Sequence, residues 1–184
     1  MRQGGRIASA TVVALATSAF AIFSGGPAAV GQSVPRCHGV RATQVGTSRP
    51  DLFHTGRGRD VVVGRGSNDV ISTGRGKDIV CGGRGNDAVW GRGGSDKLSG
   101  GADDDLIYGG NGADRLFGEV GGDALFGGPD NDVIFGARGW DWLDGGTQRD
   151  RCTGGKPNID FTHHHVRDYS THGCEVSRTA YHPF

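Results

Sequence analysis

Residues 82–90 read Gly82-Gly83-Arg84-Gly85-Asn86-Asp87-Ala88-Val89-Trp90, and residues 109–117 read Gly109-Gly110-Asn111-Gly112-Ala113-Asp114-Arg115-Leu116-Phe117. Both place Gly at the first, second and fourth positions, Asp at the sixth and an apolar residue at the eighth. The same period of nine runs outward in both directions, with units starting at positions 46, 55, 64, 73, 82, 91, 100, 109, 118, 127, 136 and 145. The sixth position is Asp in all twelve units, from Asp51 to Asp150. The eighth is apolar in all twelve: Phe53, Val62, Ile71, Val80, Val89, Leu98, Ile107, Leu116, Leu125, Ile134, Leu143 and Cys152. The first is Gly in ten of the twelve, with Thr55 and Thr73 as the exceptions. Three phases held over this many periods define an internal repeat, the mark of a solenoid.

Each unit divides into a six-residue turn and a three-residue strand. Glycine tolerates positive φ, so the turn can curl its carbonyls inward. A three-residue strand is too short to stand alone and must pair with neighbouring coils. Two units make one coil, and alternate units stack as two parallel sheets with the eighth position facing inward. Burying one such side chain contributes about 1.5–3 kcal/mol, whereas ordering each residue costs about 1.5 kcal/mol. One obligate core side chain per nine residues is therefore not enough to fold the chain.

The aspartates supply what the core lacks. Stacked coils bring them into two files, and like charges at strand spacing repel unless a cation lies between them. Carboxylates and inward carbonyls are hard oxygen ligands. They suit Ca²⁺, which takes six to eight oxygens in tolerant geometry, better than Mg²⁺ with its strict octahedron. Transition metals would call for His or Cys, and the repeats hold only His54, Cys81 and Cys152. The candidate ligands are Asp60, Asp69, Asp78, Asp87, Asp96, Asp105, Asp114, Asp123, Asp132 and Asp141. The loops before Asp51 and Asp150 depart from the pattern, so these two read as end units.

The units at 82–90 and 109–117 match G-G-x-G-x-D-x-U-x and resemble the RTX, or haemolysin-type, calcium-binding nonapeptide repeat. The resemblance covers 46–153. It implies an all-β parallel β-roll: an RTX-type solenoid of two short parallel sheets with short capping segments. It also implies several Ca²⁺ ions between successive turns, held by the sixth-position Asp and turn carbonyls. The exported chain with Cys37, Cys81 and a Cys152…Cys174-Glu175 ending further resembles small secreted calcium-binding proteins of actinobacteria. Twelve loops on two sides leave about ten slots between loops, and fewer are expected to fill.

The departures from the motif are uneven. Arg65, Arg92, Glu119 and Ala137 replace Gly at the second position; Arg49, Ser67, Asp103, Asp130 and Gln148 replace it at the fourth. A bulky fourth position is expected to distort the cage, although Asp103 and Asp130 could add ligand oxygens. Net charge is zero, which argues against a nucleic-acid partner. The balance hides an asymmetry, because 49–97 carries nine Arg/Lys against six Asp, and 98–153 four Arg against ten Asp and one Glu. Firmer Ca²⁺ binding is expected from Gly82 to Asp141 than from Asp51 to Asp78.

The ends carry other signals. Arg2 and Arg6 precede an uncharged run, Ile7 to Phe23, and small residues follow through Ala29-Val30-Gly31. This is the pattern of a secretory signal peptide over 1–31, cleaved before Gln32, and it predicts a secreted, extracellular protein with no membrane anchor after cleavage. Segments 32–45 and 154–184 serve as caps on the roll at 46–153. Four cysteines with no close pair favour disulfides in an oxidising compartment over a zinc or redox motif. They allow three pairings; Cys37–Cys81 at the leading cap and Cys152–Cys174 at the trailing one are expected. His163, His164, His165 and His172 lack the spacing of a closed metal site and read as a polar surface.

No G-x-S-x-G, H-E-x-x-H or Cys/His nucleophile pattern is present, so the chain does not read as an enzyme. Trp90, Tyr108 and Phe126 fall at the ninth position on one sheet, Phe117 and Phe135 on the other. An exposed aromatic file would support the competing reading, an extracellular adhesin or glycan-binding module on a cell surface, with Ca²⁺ only as scaffold. A monomer is expected.

Overall fold

The computed structural model describes residues 34–156 and 174–176. It is an all-β parallel β-roll. The leading segment forms a hairpin of β1 (Arg36–Cys37) and β2 (Val40–Arg41), followed by β3 (Gln44–Val45) and β4 (Leu52–His54). The repeat supplies β5 (Val61–Gly66), β6 (Val70–Arg75), β7 (Ile79–Arg84), β8 (Ala88–Gly93), β9 (Lys97–Ala102), β10 (Leu106–Asn111), β11 (Arg115–Val120), β12 (Ala124–Gly128), β13 (Val133–Arg138), β14 (Trp142–Gly146) and β15 (Asp150–Lys156). A last strand, β16 (Cys174–Val176), lies parallel to β15. Even-numbered strands β4 to β14 make a six-stranded sheet; odd-numbered β3 to β15, with β16 at the end, make an eight-stranded one. Within the repeat each residue pairs with the one eighteen positions on, as Leu106 with Ala124 and Arg115 with Val133.

The strands are longer than the repeat suggests. Most run six residues, from the seventh position of one unit to the third of the next. Pairing breaks at the first-position Gly and resumes beyond it: Tyr108 pairs with Trp90, then Gly110 with Arg92. Glycine without a side chain lets the backbone bend there and rejoin the ladder, so what looked like turn becomes strand.

The eighth-position side chains form one seam between the sheets. From Val62 to Ile134 they are wholly buried, with Leu143 and Cys152 nearly so and Phe53 packed partly against the end. Apart from Arg49 in the first unit, the replaced second and fourth positions keep the backbone of the coils. Arg65, Ser67, Arg92, Asp103, Glu119, Asp130, Ala137 and Gln148 all take φ between 74° and 86°, the left-handed backbone that glycine holds elsewhere. Such a φ is uncommon for non-glycine residues; here the ladders on either side dictate it.

The leading cap sits differently from expectation. Its hairpin, turned by His38 and Gly39 at positive φ, lies on the outer face of the eight-stranded sheet. There Cys37 forms a second apolar cluster with Val61, Val63 and Ile79, joined by Val40, Ala42 and Cys81. These repeat residues occupy the seventh and ninth positions, which point away from the seam. Cys37 and Cys81 are bonded, closing a sequence separation of 44 residues, which by loop-closure entropy contributes about 4 kcal/mol. Cys152 is also disulfide-bonded, and the backbone of β16 brings Cys174 alongside Asp150. The 1–31 leader and the His163–His165 and His172 cluster lie outside the described residues.

Shortening a seam residue should cost far more than shortening an outward one. Leu116→Ala is expected to destabilise the Ca²⁺-saturated protein by about 3 kcal/mol, and Arg115→Ala by under about 0.5 kcal/mol. Denaturant unfolding midpoints of the two variants measure the difference.

Candidate metal centre

The ladder aspartates sit at the entry to each strand, where the backbone turns into the sheet. Each is tied to the coil before it in two ways. Its Oδ1 accepts a hydrogen bond from the backbone amide of the Asp eighteen residues earlier, at 2.8–3.1 Å from Asp51–Asp69 through Asp132–Asp150. Its own neighbour at the seventh position donates to the carbonyl of that same earlier Asp, as Ala88 to Asp69 and Val133 to Asp114. Side chain and backbone therefore lock the same register.

The second carboxylate oxygen has no such partner. Oδ2 of Asp69, Asp87, Asp96, Asp105, Asp114, Asp123, Asp132 and Asp150 is buried without a hydrogen bond, in residues at most 3% exposed. Oδ2 of Asp78 also makes none of normal geometry, although the Thr73 hydroxyl lies close enough to counter the rise in its pKa. Except at Asp78, whose unit opens with Thr73, each Oδ2 hangs over the first-position glycine of its own unit. A Cβ on Gly109 would strike Asp114 Oδ2 and sit 2.7 Å from the carbonyl oxygen of Gly127. The same pair of oxygens, own carboxylate and next-coil carbonyl, faces Gly64, Gly82, Gly91, Gly118 and Gly127. Two oxygens turned to one small space with no donor is an arrangement that costs free energy unless a cation joins it. The donor set, carboxylate plus carbonyl, is that of a hard divalent ion and fits Ca²⁺.

Burial raises the carboxyl pKa values. Asp105 is pushed up to about 8, Asp114, Asp123 and Asp132 to about 7, and Asp87 and Asp96 to about 6. Asp69, Asp78 and Asp150 are raised as well. Desolvation is the largest cause throughout. The amide bond to Oδ1 opposes it, and neighbouring carboxylates add to it, Asp123 and Asp87 acting on Asp105.

Of the expected ligands, Asp69 and Asp87 to Asp132 share this geometry, Asp78 differs in having Thr73 beside its carboxylate, and Asp141 accepts the Asp123 amide as its place in the ladder requires. Asp60 stands at the leading edge, where its amide donates to Asp78. Asp150, set aside because its loop is degraded, is a full rung: it is wholly buried, bonded to the Asp132 amide, and its Oδ2 faces Gly145. Asp51 is different, since its Oδ2 accepts from the amide and hydroxyl of Thr47 at 2.6 and 3.0 Å. Asp103 and Asp130 do not join the files. Their Oδ2 atoms accept from the turn amides of Gly85 and Gly112, and they act on Asp87, Asp105 and Asp114 by charge.

Two further groupings bring cysteine, histidine or aromatic side chains together. Cys37, His38 and Cys81 converge, but the disulfide leaves no thiolate to hold a metal. The ninth-position aromatics stack along each sheet: Trp90 on Tyr108 at 6.1 Å, Tyr108 on Phe126 at 4.8 Å, and Phe117 on Phe135 at 5.3 Å, all nearly parallel. Along each file these rings turn their faces to one another.

The family model described as RTX calcium-binding nonapeptide repeat matches in four copies, at 45–80, 54–89, 90–125 and 117–152. Together they span more than half of the chain. The chain belongs to the RTX calcium-binding nonapeptide-repeat family. Comparison with curated proteins found no match, and comparison with solved structures found none either. The family binds Ca²⁺, and the buried oxygen pairs of this β-roll are the groups in it that ask for one.

A pH dependence follows for the Ca²⁺-free roll. Its carboxyls have folded pKa values above the ordinary 3.8. Their contribution to stability is fully present below that value and is lost as pH rises through about 6 to about 8. The metal-free protein should therefore retain more β structure at pH 5 than at pH 8, the reverse of a protein held by ion pairs. Far-ultraviolet circular dichroism of exhaustively demetallated protein at the two pH values checks the sign.

Proposed function

We propose that this protein is a secreted calcium-binding β-roll in which Ca²⁺ uptake drives folding outside the cell. The observation that carries the reading is the row of buried Oδ2 atoms, each sharing a donor-free space with a carbonyl of the next coil. The ligands would be Asp60, Asp69, Asp78, Asp87, Asp96, Asp105, Asp114, Asp123, Asp132 and Asp141, extended to Asp150, together with first-position carbonyls. When bound, the ion neutralises stacked carboxylates that otherwise oppose the close approach of the coils. Ion binding and coil stacking are then one event, as in small folds whose metal site does not exist in the unfolded chain.

The signal-like leader, the disulfide at Cys37–Cys81 and the Ca²⁺ requirement agree on an extracellular setting. In the cytoplasm free Ca²⁺ is scarce and the chain would stay loose enough to export. The upward pKa shifts are largest from Asp105 to Asp132, where burial disfavours bare charge and neighbouring carboxylates add to it. The ladder carboxylates are near-equivalent and lie between coils out of a substrate's reach, which favours binding over catalysis. The stacked rings give a glycan-binding role no comparable support.

Calorimetric titration with Ca²⁺ and with Mg²⁺, followed in parallel by far-ultraviolet circular dichroism, tests the proposal. Ca²⁺ should produce several equivalents of heat and a rise in β signal, and Mg²⁺ little of either. A β spectrum indifferent to both ions would refute it. Gly109→Ala places a methyl group between Asp114 and the Gly127 carbonyl and should raise the Ca²⁺ concentration needed for folding several-fold. Gly56→Ala, whose Cβ meets nothing within 4 Å, should leave it unchanged.

A further inference from the structure

The leading coils answer the problem of the paired oxygens in another way. At Gly64, Gly82, Gly91, Gly109, Gly118 and Gly127 the space between carboxylate and next-coil carbonyl contains no donor. At the two first positions that are not glycine it contains a hydroxyl. Thr55 Oγ1 donates to the carbonyl of Thr73, and Thr73 Oγ1 donates to the carbonyl of Gly91 at 3.1 Å. These are the same carbonyls, one coil on, that face the carboxylates elsewhere. Both threonines are buried, Thr73 completely, so their hydroxyls have no solvent to turn to. In the other file Thr47 gives its amide and hydroxyl to Asp51 Oδ2.

We propose that Thr47, Thr55 and Thr73 are plugs that set where the calcium files begin. A threonine hydroxyl supplies one donor, and at Thr55 and Thr73 the Cβ and methyl fill the volume that a first-position glycine leaves open. Thr47, at the second position beside Gly46, acts instead by giving its amide and hydroxyl to the Asp51 carboxylate. In the leading slots the hydroxyl bond and the bulk of the side chain thus take the place of a cation, so that Asp60 and Asp78, named above as ligands, would hold none. Asp78 Oδ2 keeps no hydrogen bond of its own, and the ions enter only beyond these slots. This rests on the reading of the between-coil slots as the Ca²⁺ sites.

A second observation, independent of the threonines, points the same way. The coils they close are the ones that carry the additional apolar cluster of Cys37, Val61, Val63 and Ile79 and the Cys37–Cys81 bond. None of these contacts involves a cation. The leading coils therefore form a Ca²⁺-independent nucleus. In a solenoid each coil is stabilised by its neighbours, so a preformed first coil gives later ones a surface on which to stack as ions arrive.

The test uses the full mature chain with its disulfides intact. Thr55→Gly/Thr73→Gly opens two slots, and equilibrium dialysis with Ca²⁺ should find about two more ions per chain than in the unchanged protein, one per opened slot. Thr55→Ser/Thr73→Ser keeps the hydroxyls and should bind the original number. Thr55→Val/Thr73→Val fills the space without a donor and should gain no ion while losing stability. Hydrogen exchange on the unchanged, Ca²⁺-free protein should protect the amides of Val62, Ile71 and Val80, and leave those of Leu116, Leu125 and Ile134 to exchange freely. An unaltered ion count in the glycine variant, or uniform exchange along the Ca²⁺-free chain, overturns the proposal. Exchange decides the matter if the glycine variant does not fold. Failure of the unchanged protein to bind Ca²⁺ would instead refute the slot reading itself.

Discussion

Carboxylates stacked one above another at strand spacing, about 4.8 Å, and buried, are the constraint on which the roll depends. The parallel ladder forces the spacing, because every residue lies over its equivalent eighteen positions away. One oxygen of each carboxylate is satisfied by the amide of the coil before. The other faces a carbonyl and finds no donor. A proton or a cation must make up the difference, and the raised pKa values of Asp105, Asp114, Asp123 and Asp132 express how strongly the site resists bare charge. The glycines at the first position follow from the same geometry, since any side chain there would enter the space between the two oxygens.

The apolar seam and the ladder divide the work. A single file of Val, Ile and Leu per sheet fixes which way each strand faces, but it is too thin to hold coils together without the aspartate edges. Where the edges are closed by threonine hydroxyls, the chain adds a conventional core instead: a hairpin laid across the outer face of the eight-stranded sheet and bonded to it through Cys37 and Cys81. The six-stranded sheet is more open on its outer side, with Leu52, Val70 and Trp142 exposed. Along it the rings of Trp90, Tyr108 and Phe126 stack at coil spacing.

The period of nine, read from the chain alone, determined the coil of eighteen residues, the two parallel sheets, the inward eighth position and the aspartate files. Each of these depends only on which residues superpose when equal lengths of chain are wound and stacked. The tertiary structure decided what superposition leaves open. A carboxylate has two equivalent oxygens in sequence; only the stacked amide makes one of them a ladder bond and the other a candidate ligand. The loop before Asp150 looks degraded, yet Asp150 is a full rung because the Asp132 amide, not its own loop, fixes its side chain. Arg65, Asp103 and Glu119 take the backbone of glycine because paired strands on both sides outweigh their local preference. The leading cap folds over a sheet face because Val61, Val63 and Ile79 place apolar groups on positions that elsewhere hold Lys97 and Arg115, a difference that acquires meaning only once the sheet brings them side by side.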